Sequence, residues 1–294
     1  MFSPTCHRVF YRGTLIAGAV WLLGATAVAQ TASKGKHCLW RVTNAPAPFY
    51  LLGSVDALSA ADYERTPVIE DAIKQSAQIY FEFDPKEVQT FSKKLGEAAA
   101  YPKGEQIRGK ISPKTYNYLM KITTHGWGAW QHLRPWAIAM LLNYPGLAGV
   151  SQRYGIDFYV EGKAHTYGKA TKGLESADEH VRVFSDMYPS EGEVVLLEAL
   201  IHANEMPKQF REDVAAWKAG DVDQIYASTA AWRKEAPTVW WRLLDRRNER
   251  WVPRIEAAIK SGKPTLIVAG AAHFAGPRSV VALLRARGYK IEQL

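Results

Sequence analysis

The stretch that most constrains this chain lies near its carboxyl end, Pro264-Thr-Leu-Ile-Val-Ala-Gly-Ala-Ala-His-Phe-Ala-Gly-Pro277. Leu266-Ile267-Val268 reads as a short buried strand, and the glycines at 270 and 276 permit a tight turn after it. His273 therefore stands just past the carboxyl end of a strand. Ligands settle there in open α/β sheets, because strand ends and helix amino-termini converge around a crevice. A second corner of the same kind comes early: Pro48-Phe-Tyr-Leu-Leu-Gly-Ser-Val-Asp56 is an apolar strand followed by Gly-x-x and a polar side chain. The two corners predict one pocket, with Asp56 and His273 facing each other and the intervening chain as its wall.

Residues 1–29 read as an export signal rather than as part of the fold. Arg8 and Arg12 give a positive flank, Thr14 to Val28 is uncharged and mostly apolar, and Ala27-Val28-Ala29 has the small-x-small pattern of a cleavage site. The apolar run is short of the roughly 20 residues of a membrane span, so membrane contact is expected only through this segment. A bacterial periplasm or the exterior is the expected destination. Residues 30–37 form a linker and residues 38–294 one domain, long enough for a substantial core. Without Arg8 and Arg12 the net charge of +8 becomes +6. No Lys/Arg tract concentrates that charge, so nucleic acid is not an expected partner. Cys6 lies in the signal, leaving Cys38 alone in the mature chain. That excludes an intramolecular disulfide and a Cys-rich metal site, and Cys38 itself reads as a packed core thiol.

Strands at 38–43 and 48–53, joined by Asn-Ala-Pro-Ala-Pro, predict a hairpin. Tyr63 to Gln75 reads as a helix with Pro67 in its first turn. In Gln78 to Asp84, acidic residues alternate with aromatics, so Glu82 and Asp84 are expected to point to one face near the strand's carboxyl end, either as ligand-capable oxygens or as two ordinary carboxylates on a solvated edge. Segments 114–123, 135–143 and 155–164 read as helices, and Lys169–Lys172 as a short strand or turn. His125, Trp127, Trp130 and His132 form an aromatic group that either stacks on sugar rings or caps a core. Glu175 precedes another helix, where a carboxylate can be a cap and nothing more. Ser190 to Lys260 is almost wholly helical, broken at Gly220-Asp221, and carries Arg246-Arg247-Asn248 between bulky aromatic turns. A guanidinium there, of Arg246 or Arg247, either offers a planar fork for a carboxylate or an oxyanion or belongs to a salt-bridged, solvated helix face. The order of elements is that of an α/β domain with a large helical insertion. Gly288 is followed by an edge strand at Tyr289-Lys290-Ile291.

With these residues in view, the chain from Cys38 to its carboxyl end resembles the bacterial TraB/GumN family, related to the TIKI-type metal-dependent proteases. The resemblance rests on Leu51-Leu52-Gly53-Ser54, Phe81-Glu82-Phe83-Asp84-Pro85, Gly155-Ile156-Asp157, Gly173-Leu174-Glu175, Arg247-Asn248 and Gly270-Ala271-Ala272-His273, dispersed but in order. It implies a mixed β-sheet flanked by helices, and a site of two Gly-x-x-His motifs with a glutamate and an Arg-Asn pair. Matching positions are His273, Glu82, Glu175, Arg247 and Asn248; the first motif departs from the pattern, with Asp56 where histidine is expected. The resemblance then implies a divalent transition metal (Mn, Co or Zn) held by Asp56, Glu82 and His273. Glu175 would act as general base and Arg247 with Asn248 would steady an oxyanion, on a peptide or small-molecule substrate. The other expectation is a non-catalytic envelope binding or scaffold protein whose metal site has degenerated. No Gly-x-Ser-x-Gly elbow, Walker loop, His-Glu-x-x-His helix or dinucleotide fingerprint offers a different chemistry.

Overall fold

The computed structural model describes residues 35–62, 66–123, 127–142 and 149–294. Residues 1–29, where an export signal is expected, His125 and the start of the helix expected from Tyr63 lie outside the described residues. The protein is an α/β fold whose main sheet has six strands. In chain order the strands are β1 (Leu39–Val42), β2 (Phe49–Ser54), β3 (Leu58–Ser59), β4 (Gln78–Phe83), β5 (Val150–Ser151), β6 (Ala170–Glu175), β7 (Thr265–Gly270) and β8 (Ile291–Gln293). The main sheet runs β6-β4-β7-β2-β1-β8, while β3 and β5 pair separately.

The hairpin forms as expected, with Leu39 opposite Leu52. β2, β4, β6 and β7 are mutually parallel. β2 and β7 are buried along their whole length, because helices cover both faces, and continuous apolar runs result. Each fully buried Leu51, Leu52, Ile267 or Val268 contributes about 1.5–3 kcal/mol of transfer free energy. Late in sequence, β7 inserts between β2 and β4, pairing with both. That insertion brings four carboxyl ends to one edge, with Ser54 opposite Gly270 and Phe83 opposite Glu175.

Two apolar clusters flank that edge. One surrounds the sheet and includes Phe81, Ile156, Trp251 and Ala271. The other joins Phe83, Phe91, Trp136, Phe184, Leu196, Leu244 and Ala272, drawn mostly from the helices. Helix Pro135–Leu142 packs on helix Pro189–Ile201, and helix Val88–Ala99 on helix Ala177–Ser185. Among the described residues, no helix is long and apolar enough to cross a membrane. Burial and the charge of Asp221 push the Cys38 thiol up to about 12, so it stays a core thiol.

Three local expectations change. Gly270 has an ordinary φ of −50°; the left-handed residue is Gly276 at +86°, where a Cβ would lie 2.2 Å from the Tyr226 ring. Asp84 does not share the edge with Glu82, because the strand ends at Phe83. Its carboxylate instead caps the next turn through Lys86 N–H at 3.1 Å and accepts from the Thr171 hydroxyl. The strand expected at Lys169–Lys172 continues to Glu175, and the helix cap falls to Ser176, reciprocated by Glu179. Glu175 is thereby released from capping.

Helix Ile156–Thr166 is held against the Asp56 corner by its own amino end. Ile156 N–H donates to Val55 O at 3.0 Å, and a Cβ at Gly155 would lie 2.0 Å from Asp56 O. Backbone cannot yield cheaply to such a contact, so Gly155→Ala is expected to cost about 1–3 kcal/mol and lower the calorimetric midpoint. An unchanged midpoint would show that the helix is not clamped there.

Candidate functional site

The carboxyl edge of the sheet collects ionisable groups that are almost completely removed from water. Glu82 comes from β4, Glu175 from the last residue of β6, and His273 from the short helical turn after β7. Helix Ala177–Ser185 adds His180, and the long helix Arg246–Lys260 adds Arg247, Asn248 and Trp251. All of these are buried, His273 completely.

Arg247 stands at the centre. Its Nη2 is 2.5 Å from Glu82 Oε2, 2.6 Å from Glu175 Oε1 and 3.2 Å from His180 Nδ1. Its Nη1 donates to Leu243 O and to His273 Nε2, each at 3.2 Å. The guanidinium also lies 4.6 Å from the Trp251 ring. A π-helical turn, Trp241–Asp245, leads into this helix, with Arg246 N–H bonded to Trp241 O five residues back. Burial works against the charge of Arg247, but Glu175 and Glu82 outweigh it and raise its pKa. Burial likewise opposes ionisation of the two glutamates, and Arg247 overcomes it. Glu82 is lowered to about 2, with help from the Gly270 N–H at 3.0 Å, and Glu175 is also lowered.

The second layer fixes orientation. Asn248 Nδ2 donates to Arg278 O at 2.9 Å, which turns its Oδ1 towards His273 Nδ1 at 2.6 Å. His273 therefore carries its proton on Nδ1 and presents the Nε2 lone pair. Burial, assisted by the positive Arg247, pushes its pKa down to about 3, so the ring is neutral. Trp251 Nε1 donates to Glu175 Oε2 at 3.0 Å, and His180 Nδ1–H donates to Glu175 Oε1 at 2.6 Å.

At the β2 end, Asp56 is the half-buried member and lies beside Asp157 and Ser54. Asp157 is buried in the first turn of helix Ile156–Thr166. Burial, then the charge of Glu82, raises its carboxyl to about 7 against the pull of Ser54.

Two donor groups bear on whether a metal fits. Donor atoms of Glu82, Glu175 and His180 lie within 4.8 Å of one another, a spacing that suits an ion. Arg247 Nη2 already stands among them, so that group is a guanidinium seat. Glu82 Oε1 and His273 Nε2 lie 3.8 Å apart, each already accepting, from Gly270 N–H and from Arg247 Nη1. A carboxylate and a neutral imidazole are ligand types that suit a divalent cation; Asp56 and Asp157 stand on the neighbouring corner, and among the described residues only Glu82, Glu175 and His180 bring three donor atoms together.

Glu82, Glu175, Arg247, Asn248 and His273 thus share one hydrogen-bonded network. Asp56 lies at its edge beside Asp157. His180 was not among the sequence candidates, although the Ser176/Glu179 capping box places it one turn into the helix, back over Glu175. Asp157 appeared only within a family motif. In the aromatic group, His132 Nδ1 lies 3.1 Å from Glu105 O and Trp130 packs on the helical cluster.

A family model described as TraB/PrgY/gumN family matches residues 38–293. Among curated proteins, the chain is similar to Metalloprotease TIKI2 of Xenopus tropicalis, 22% identical over 314 residues covering 86% of this chain and 59% of the relative. It is similarly related to Metalloprotease TIKI2 of Danio rerio, 23% identical over 313 residues covering 86% and 60%. The chain spans about three fifths of the length of these relatives. No solved structure matches it.

Proposed function

The chain belongs to the TraB/PrgY/gumN family, and from that premise we propose that it is a divalent-metal-dependent, peptidase-like hydrolase exported to a bacterial envelope compartment. The observation that carries the reading is His273: a buried neutral imidazole whose Nδ1 is fixed by Asn248 and whose Nε2 faces Glu82 Oε1 at 3.8 Å. The similarity to proteins named metalloproteases supports the hydrolytic class, and the composition of residues 1–29 supports the location.

A divalent cation (Mn, Co or Zn) held by Asp56, Glu82 and His273 would supply Lewis acidity towards a carbonyl and a water. The chain's own residues prepare the place. Asn248 has both ends of its amide committed, so its work is to set the His273 tautomer rather than to meet an oxyanion. Both oxygens of Glu175 accept from Arg247, and Trp251 and His180 add further donors. With its pKa lowered, Glu175 is a weak proton acceptor, and we assign it to positioning Arg247. Arg247 balances two buried carboxylates beside the reacting corner. Substrate reaches the site from the Asp56 side, where the described site residues are least buried.

One observation favours the non-catalytic reading: Arg247 already matches Glu82 and Glu175 and donates to His273 Nε2, so the cluster is satisfied without an added ion. Titration of the metal-free mature chain with Mn, Co and Zn decides between them. The hydrolase reading expects near-stoichiometric binding. His273→Ala should weaken it beyond the roughly 10–100-fold loss typical of removing a supporting residue. Peptide and ester hydrolysis should follow the same metal dependence. No binding by the native chain, with affinity gained in Asp56→His, would establish the envelope binding protein instead.

A further inference from the structure

The turn that carries His273 is covered by two elements of the helical run, and one cation held between them lacks an anion. Helix Val222–Ala227 and the π-helical turn Trp241–Asp245 both pack against residues Ala271–Phe274. Tyr226, from the first, fits against Gly276, three residues beyond His273, where the positive φ and the missing Cβ leave room for its ring. Trp240 stands immediately before the second and is buried. In the chain between them comes helix Ala230–Glu235, which supplies the half-buried Arg233.

The Arg233 guanidinium lies over both rings, with Cζ 3.3 Å from the Tyr226 centroid and 5.9 Å from that of Trp240. Stacking commits the flat face of the fork and leaves its N–H edge to find acceptors. Nη1 finds none: it is shielded from water and has no hydrogen-bond partner among the described residues. Asp245 is the acid that acts on Arg233, but its Oδ2 is held by Arg278 Nε at 3.0 Å. Burial accordingly outweighs Asp245 and lowers the Arg233 pKa. The arginines that follow in the chain are matched, Arg242 by Glu191 at 3.1 Å and Arg247 by Glu82 and Glu175. A buried donor without an acceptor is unfavourable. A fork already held in place by rings is prepared for an anion that arrives from outside, because little freedom remains to be lost on binding.

We propose that Arg233 is a substrate anchor, its N–H edge receiving a carboxylate of the peptide that lies across the His273 turn. The substrate class is then a peptide that carries an acidic side chain, or its own free carboxyl end, beyond the residue at His273. Either source offers the planar pair of oxygens that a guanidinium matches. The inference deepens the hydrolase reading and rests on it for calling the ligand a substrate.

The test reads binding apart from turnover, in the metal-free mature chain with 15N-labelled arginine. Three probes are titrated: N-acetyl-trialanine, its carboxamide, and the carboxamide of N-acetyl-alanyl-aspartyl-alanine. The Arg233 Nε signal, assigned by its loss in Arg233→Gln, should move with a carboxylate peptide at millimolar concentration, and the peptide that moves it tells a chain end from an acidic side chain. Affinity for that peptide should exceed affinity for the trialanine carboxamide by about tenfold or more. Arg233→Gln and Arg233→Lys should each lose the preference, the lysine variant because a point charge replaces the fork. Near-ultraviolet circular dichroism checks the packing of both variants. Equal affinity for carboxylate and carboxamide, an Arg233 signal that neither carboxylate moves, or a preference that survives in Arg233→Gln would overturn the inference, whatever the metal titration shows. Carboxylate binding through Arg233 in a chain that takes up no Mn, Co or Zn would support the anchor while removing the hydrolase reading, the ligand then being that of an envelope binding protein.

Discussion

Replacing Arg247 by methionine is expected to remove about 3–5 kcal/mol of folding stability, the largest single-residue effect we anticipate. Arg247 is 2% exposed and its Nη2 lies between Glu82 and Glu175. Methionine fills much of the volume but leaves two carboxylates facing each other away from water. The penalty comes from the acids left behind more than from the pair that is lost. Urea unfolding would read it as a large drop in midpoint. Adding Glu82→Gln and Glu175→Gln to Arg247→Met should return part of the loss, because neutral amides are far cheaper to bury unpaired. An Arg247→Met protein that unfolds at the native midpoint would sink this account of the cluster.

Acid should undo the same cluster by protonation. Glu82 is lowered from 4.5 to about 2, and Glu175 is lowered as well. A carboxylate with a depressed folded pKa contributes stability that is fully present above its unfolded value and is lost as pH falls through its folded value. His273, lowered from 6.5 to about 3, has the same sign, because the unfolded chain takes up a proton that the folded site refuses. Asp157 and Asp213, each raised to about 7, oppose it between their ordinary 3.8 and 7. The steep loss therefore lies below about pH 4.5 and continues towards pH 2. Glu82 alone is worth about 3 kcal/mol over that range. Urea midpoints from pH 6 to 2.5 would show the fall, and Glu82→Gln should flatten it. A native curve with no steeper slope below pH 4.5 would contradict the ion-pair assignment.

The parts of the site that could be read in the sequence are those fixed by local pattern. Glu82 and His273 follow apolar runs that could only be strands, and both lie at strand ends. Partnership was harder. Glu82 and Asp84 have equal claims by alternation, and only the termination of β4 at Phe83 separates them. Glu175 looked like a helix-start acid until Ser176 and Glu179 proved to hold the cap. The placement of β7 between β2 and β4 is decided by pairing across nearly two hundred residues, which no window of sequence contains. Arg247 was visible as an anion-binding fork, but its anions are the protein's own glutamates. That choice is made by tertiary packing. His180 is found only by following a capping box one turn onward, and Asp157, visible in the sequence only as part of a family motif, is placed by the close contact at Gly155.

The π-helical turn at Trp241–Asp245 gives the following helix its phase. Each residue of a regular α-helix advances the side-chain direction by about 100°, so closing this turn with one residue fewer would rotate everything downstream by that angle. Arg247, Asn248 and Trp251 would then swing away from Glu175 and His273 together. The bearing of three site residues is set by a single surplus residue one turn upstream. Length in that segment is held more tightly than side-chain identity, and a deletion there would silence the site without touching any group in it.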